Sequence, residues 1–163
     1  EALSRGAASA VFVETHRVAA QQLKKNVEML KAGMTTVLHQ DALEYLHSKP
    51  DRKFDIVFLD PPFAADLLDE TCRLLEHKEL LAEGALVYLE QDRSKAEPQL
   101  PDGWQVQKNK TAGNVRYMLV QARGRDEQSV FQRCIREPLI RLRSVTRILF
   151  AVPRSCMKRS WLL

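Results

Sequence analysis

The chain reads as an α/β protein, a mostly parallel sheet closed by a C-terminal antiparallel hairpin. Three observations lead there. Short apolar runs alternate with segments of helical periodicity, the pattern of parallel strands joined by crossover helices. Two late segments, Trp104-Gln105-Val106 and Val115 to Val120, follow a two-residue period with Gly113-Asn114 between them, which reads as a hairpin. The length of 163 residues is one domain's worth of chain, enough to bury a core.

The elements follow in order. Ala2-Leu3-Ser4-Arg5-Gly6 reads as the last turn of a helix ended by Gly6. Ala8 to Val13 is a buried strand ending at Glu14. His16 to Ala32 is a helix whose face is Ala19, Ala20, Leu23, Val27 and Leu30, with Gly33 as its C-terminal cap. Thr35 to His39 is a second strand, ending at Gln40-Asp41, and a short helix, Ala42 to His47, stops before Pro50. Asp41 followed by Glu44 makes a capping box for that helix. Phe54 to Leu59 is a strand, a helix over about 66–77 turns Leu67, Leu68, Leu74 and Leu75 to the sheet, and Ala85 to Leu89 is the next strand. A polar, Pro-marked loop from Ser94 to Gly103 leads to the hairpin.

Composition excludes several classes. A hydrophobic content of 45% with 28% charged residues is ordinary for a soluble globular protein, and no apolar run reaches the length of a membrane span. Cys72, Cys134 and Cys156 show no CxxC spacing, and His16, His39, His47 and His77 no metal-ligand spacing, so no metal is expected. Scattered cysteines favour a reducing compartment, hence a cytoplasmic location. The net charge of +4 is unevenly placed. Residues 1–123 carry 16 Lys+Arg against 18 Asp+Glu, and residues 124–163 carry 9 against 3. The sequence therefore divides into a body, 1–123, and a basic, Arg-rich tail, 124–163. In the tail, Leu142, Val145, Ile148, Leu149 and Val152 stand at helical spacing among arginines. An RNA-binding arm, a partner helix, an extension without a fold of its own and a shifted reading frame all remain open for it.

The chemistry concentrates at Asp60-Pro61-Pro62-Phe63, directly after the apolar strand. Pro61 holds Asp60 extended, and both prolines fix their own backbone angles. A stiff carboxylate-and-carbonyl acceptor beside an aromatic face suits the amino group of a nucleobase. The structural alternative is a Pro-Pro strand exit with an Asp turn.

Taken with Leu3-Ser4-Arg5-Gly6-Ala7, Phe12-Val13-Glu14, Leu23-Lys24-Lys25-Asn26 and Asp41-Ala42, this motif resembles the RsmD-type 16S ribosomal RNA guanine-N2-methyltransferases over roughly residues 1–122. Asp-Pro-Pro-Phe alone indicates only the wider class of amino-methyltransferases. The resemblance implies a Rossmann-like class I methyltransferase sheet with S-adenosyl-L-methionine across the carboxyl ends of the strands. It implies that Glu14, followed by Thr15, accepts from the ribose hydroxyls, and that Asp41 takes the adenine amino group with the Ala42 amide facing a ring nitrogen. Asp60 and the Pro61 carbonyl would accept from the guanine N2, Asp60 also bordering the cofactor. Pro62 would stiffen the corner and Phe63 would stack on the extruded base. The implied partner is 16S rRNA or the assembling 30S subunit, with the enzyme a monomer.

The chain departs from the family's pattern in several places. No GxGxxG occurs, and the family's first strand has no counterpart ahead of Ala8, so strands 8–13 and 54–59 are expected to flank a gap with unpaired edges. His16 stands where the family has an acid. Two other readings stay open: an adenine-N6 or cytosine-N4 methyltransferase, and a non-catalytic fragment of a methyltransferase.

Overall fold

In a computed structural model of the chain the described residues are 3, 6–48, 50–61, 67–122 and 147–151, the last group by backbone. The elements are β1 (Ser9–Glu14), α1 (Arg17–Met29), β2 (Thr35–His39), α2 (Ala42–His47), β3 (Phe54–Leu59), α3 (Leu68–His77), β4 (Leu81–Asp92), β5 (Gln105–Ala112), β6 (Val115–Gln121) and β7 (Arg147–Ala151). Among the described residues they build one seven-stranded sheet in the order β2-β1-β7-β3-β4-β6-β5. The alternation of apolar runs and helices thus becomes the Rossmann-like arrangement expected of it. β1, β2, β3, β4 and β7 run parallel, and β6 returns antiparallel against β4 and β5.

The expected gap between β1 and β3 is not there. β7 lies in it and pairs in parallel with both neighbours, Val11 and Val57 each opposite Leu149. An open slot between two parallel strands leaves two rows of backbone donors and acceptors unpaired, and a short β-forming segment anywhere in the chain can satisfy them. The apolar spacing read as helical in the tail therefore includes a strand at 147–151.

Handedness places the helices. From β1 the chain moves outward to β2 through α1, then reverses past β1 through α2 to β3. Right-handed crossovers in opposite directions put α1 and α2 on opposite faces. One face packs Val11 and Val13, Val57 and Leu59, Val87 and Leu89, and Met118 and Val120 against α2 and α3. α3 supplies Leu68, Thr71, Cys72 and Leu75 to this core, an i, i+3, i+4, i+7 stripe. Phe54, Cys72, Leu75 and Val87 have no exposed surface, and truncating a side chain such as Leu75 to Ala costs about 2–5 kcal/mol. Burial pushes the Cys72 thiol up to about 12, with the nearby Asp69 charge adding to it, so it stays protonated at neutral pH.

Helix ends differ from the sequence reading. α1 starts after His16, whose Nδ1 accepts from the Ala19 amide at 3.4 Å, and ends at Leu30 rather than at Gly33. Lys31 takes the left-handed conformation (φ 51°), with Ala32 N–H donating to Val27 O and Lys31 N–H to Glu28 O. α3 closes the same way through Glu79 (φ 56°), with Leu80 N–H donating to Leu75 O. Both are Schellman endings made without glycine, a conformation that costs a side-chain-bearing residue about 1–2 kcal/mol. α3 begins at Leu68, with Leu67 as its N-cap. β4 is longer than expected because Gly84 (φ 70°) lets it bulge and continue, Ile56 pairing with Leu86 after Phe54 pairs with Leu81. Trp104 is not a strand residue. It is buried, and its Nε1–H donates to Glu76 Oε2 at 3.1 Å, tying the loop before β5 to α3. The hairpin over Gly113-Asn114 forms as expected, with Ala112 opposite Val115.

Candidate functional site

The carboxyl ends of β2, β1, β7 and β3 lie side by side, and three acids stand on them. Glu14 is the last residue of β1, opposite His39 of β2. It is only 2% exposed, and among the described residues one donor reaches it, the His16 backbone N–H at 2.7 Å from Oε1. A carboxylate has acceptor positions for about four hydrogen bonds, and among the described residues only this donor fills one. Thr15 follows, exposed, and its carbonyl accepts from His39 Nε2 at 3.0 Å. A carbonyl only accepts, so that ring nitrogen carries the proton. This bond fixes the end of β1 to the end of β2, a role that a lone histidine in sequence does not advertise.

Asp41 stands at the end of β2 as the N-cap of α2. Its Oδ1 accepts from the Leu43 amide at 2.8 Å and the Glu44 amide at 3.1 Å. Both cap bonds use one oxygen, which leaves Oδ2 to a second donor. Ala42, the first residue of α2, is half-buried beside it. The Asp41 half of the capping box read from sequence is therefore present, without a return bond from Glu44, and it is compatible with a ligand contact by the same side chain.

Asp60 and Pro61 follow β3 and are half-buried, while Pro62 and Phe63 lie outside the described residues. β7 separates β3 from β1, so Glu14 and Asp60 lie two strand spacings apart, roughly 10 Å. The structure thus brings Glu14, Thr15, Asp41, Ala42, Asp60 and Pro61 to one end of the sheet. Among the described residues no group of three or more His, Cys, Asp or Glu could hold a metal ion. No helix among them is long and apolar enough to cross a membrane.

Sequence reading missed what flanks Asp60. Continuing the alternation of β3, Asp60 falls on the Phe58 side of the sheet, the face away from α2 and α3. Phe58 meets Tyr88 there (centroids 5.8 Å apart, planes at 51°), and Tyr88 stacks with Tyr117 (6.4 Å, 26°). The Tyr88 hydroxyl donates to Glu90 Oε1 at 2.7 Å. Burial, this hydrogen bond and the charges of Glu90 and Asp60 push the Tyr88 hydroxyl well above the ordinary tyrosine range, which places Asp60 in electrostatic reach of the row. The signal lay in the register of β3, β4 and β6, which no single segment carries.

Known proteins match over the same residues. A family model described as Conserved hypothetical protein 95 matches residues 1–121. Ribosomal RNA small subunit methyltransferase D of Escherichia coli K12 is 42% identical over 127 residues, which are 78% of this chain and 64% of that protein. Its Haemophilus influenzae namesake is 39% identical over 125 residues, covering 74% of this chain and 64% of that protein. The chain therefore spans just under two thirds of the length of these curated relatives. The solved structure of yhhF from Escherichia coli superposes with a TM-score of 0.68 at 41% identity, covering 77% of this chain and 70% of that one. A solved Streptococcus pyogenes protein gives 0.68 at 32% identity, covering 73% and 74%. With the family model matching residues 1–121 and relatives about 40% identical over three quarters of its length, the chain belongs to the RsmD-type methyltransferase family.

Proposed function

We propose that the chain carries the site of an S-adenosyl-L-methionine-dependent methyltransferase acting on the exocyclic N2 of a guanine in small-subunit ribosomal RNA. The observation that carries this reading is the placement of Asp60-Pro61 at the carboxyl end of β3, on the same sheet end as Glu14 and Asp41. The relatives' names, which specify the small-subunit ribosomal RNA, support the substrate class.

The residues fit the ribose and adenine of the cofactor. Glu14 offers a buried carboxylate with acceptor positions left for donors such as ribose hydroxyls, and Asp41 offers Oδ2 to an amino group. When bound, the cofactor supplies a methyl group on a positively charged sulfur. Asp60 and the Pro61 carbonyl accept the hydrogens of the guanine N2. That nitrogen's lone pair is delocalised into the ring, so it is a poor nucleophile until two fixed acceptors favour its rehybridised form. Positioning and electrostatics account for the rate gain, with no covalent intermediate on the protein. Phe63 stacks on the base after it leaves its helix, a contact worth about 1–3 kcal/mol.

The test is transfer of labelled methyl by this chain to 30S subunits lacking the modification, followed by nucleoside mass spectrometry. N2-methylguanosine is the expected product. N6-methyladenosine or N4-methylcytosine would move the assignment to another amino-methyltransferase, and no transfer at all would leave only a binding fragment.

A further inference from the structure

The sheet register extends beyond the Asp60 site to the outer edge of the sheet. Leu59 lies opposite Leu89, so the next residues, Asp60 and Glu90, are level. Glu90 lies opposite Tyr117, and Tyr117 opposite Lys110 of β5. Lys110 thus stands in the same cross-sheet row as Asp60, three strand spacings away, roughly 14 Å. Lys108, opposite Leu119, ends the row of Phe58 and Tyr88. Partners in a ladder point to one side, so both lysines share the face of Tyr117 and Asp60. Both are exposed, and neither has an ion-pair partner among the described residues.

Two more cations border them at the carboxyl end of β4. Arg93 is exposed and Lys95 half-buried, in a turn held against the hairpin tip. Arg93 Nη1 donates to the Gly113 carbonyl at 3.2 Å, and Arg93 N–H to the Asn114 carbonyl at 3.0 Å. Arg116 braces the turn from beneath, Nη1 donating to the Lys95 carbonyl at 3.1 Å and Nη2 to the Arg93 carbonyl at 3.4 Å. The nearby acids have hydrogen-bond donors of their own, and Asp92 also lies in electrostatic reach of Arg93 and Lys95, so Lys108 and Lys110 are the cations farthest from compensation. Asp92 accepts from the Ser94 amide and hydroxyl, Glu90 from Tyr88, and Glu97 from Asn109 Nδ2.

We propose that Lys108 and Lys110, with Arg93 and Lys95, form a phosphate-binding rim that grips the RNA strand a few nucleotides from the base presented to Asp60. The inference rests on the reading of Asp60 as the base site, and it adds how the substrate strand is held. Phosphates fit because Lys108 and Lys110 present exposed ammonium groups beside a braced, cation-bearing turn, whereas base-reading contacts would need fixed donor and acceptor pairs.

The experiment measures binding of the full chain, without cofactor, to a labelled single-stranded RNA 12-mer between 50 and 200 mM salt. Variants are Lys108→Gln/Lys110→Gln and Lys108→Arg/Lys110→Arg. On a single strand each phosphate that is no longer neutralised lowers the slope of log K against log salt by about 0.7. The glutamine pair should therefore lower it by about 1.4 and weaken binding about 25-fold at 0.1 M. The arginine pair should restore both. The Arg-rich residues beyond 123 are identical in all variants and cancel. An unchanged slope overturns the rim. So does a glutamine pair that only makes the chain self-associate, since the lysines would then be guards of an edge strand. Because no methyl transfer enters the measurement, the two readings fail separately: the expected slope in a chain that never methylates keeps the rim and sinks the methyltransferase, and the reverse result does the opposite.

Discussion

The Tyr88 hydroxyl donates to Glu90 Oε1 at 2.7 Å, and Glu90 is level with Asp60, so this bond joins the aromatic row of Phe58, Tyr88 and Tyr117 to the acidic end of the sheet. A phenol that is half-buried against two carboxylates resists ionisation, and its pKa is raised above the ordinary value near 10. The folded protein then holds a proton that the unfolded chain releases. This contribution is complete below about pH 10 and is lost as pH rises above it. Tyr88→Phe should cost about 1 kcal/mol at pH 7 by removing the hydrogen bond, and should make the alkaline fall in stability shallower. Urea unfolding between pH 8 and 11 measures both, and an unchanged alkaline slope would contradict the assignment.

Asp41 serves as a cap and, by proposal, as a cofactor ligand, and two substitutions separate these duties. Asn is as good an N-cap as Asp, so Asp41→Asn should leave stability within a few tenths of a kcal/mol, while Asp41→Ala should lose about 1 kcal/mol. The asparagine keeps one acceptor for the cap and replaces Oδ2 with a donor, so nucleoside affinity should fall in both variants. Calorimetry with S-adenosylhomocysteine reads the affinity. Full affinity in Asp41→Asn would reduce Asp41 to a cap.

Asp60→Ala should reduce methyl transfer by about 10²–10³-fold, the usual effect of deleting one aimed polar group in an active site. Cofactor affinity should stay largely intact, because Glu14 and Asp41 remain. Turnover near the wild-type rate in that variant would remove Asp60 from the mechanism.

Removing residues 123–163 should do more damage than cutting an appendage. β7 pairs with both β1 and β3, so its loss opens two parallel edges in the middle of the sheet. The shortened chain should unfold at lower urea and self-associate, as seen by light scattering after gel filtration. A monomer with an unchanged midpoint would show that the slot does not depend on β7.

Most local features were legible along the chain because their causes are local. The Asp41 cap needs only a carboxylate two and three residues before free amides, and α2 begins where it was expected. The hairpin needs only Gly113-Asn114 between period-two runs. Glu14 and Asp60 could be placed at strand ends from apolar runs alone. Gly33 misled because a glycine two residues past a left-handed lysine is read more easily than the lysine itself.

Pattern and motif settled the class of fold, the family and the acids at the strand ends, since these depend on residues near one another in sequence. The central position of residues 147–151, the row from Asp60 to Lys110 and the burial of Glu14 came only from the assembled sheet. Each depends on the pairing register between segments tens of residues apart, and backbone hydrogen bonding is nearly blind to the side chains that would announce it.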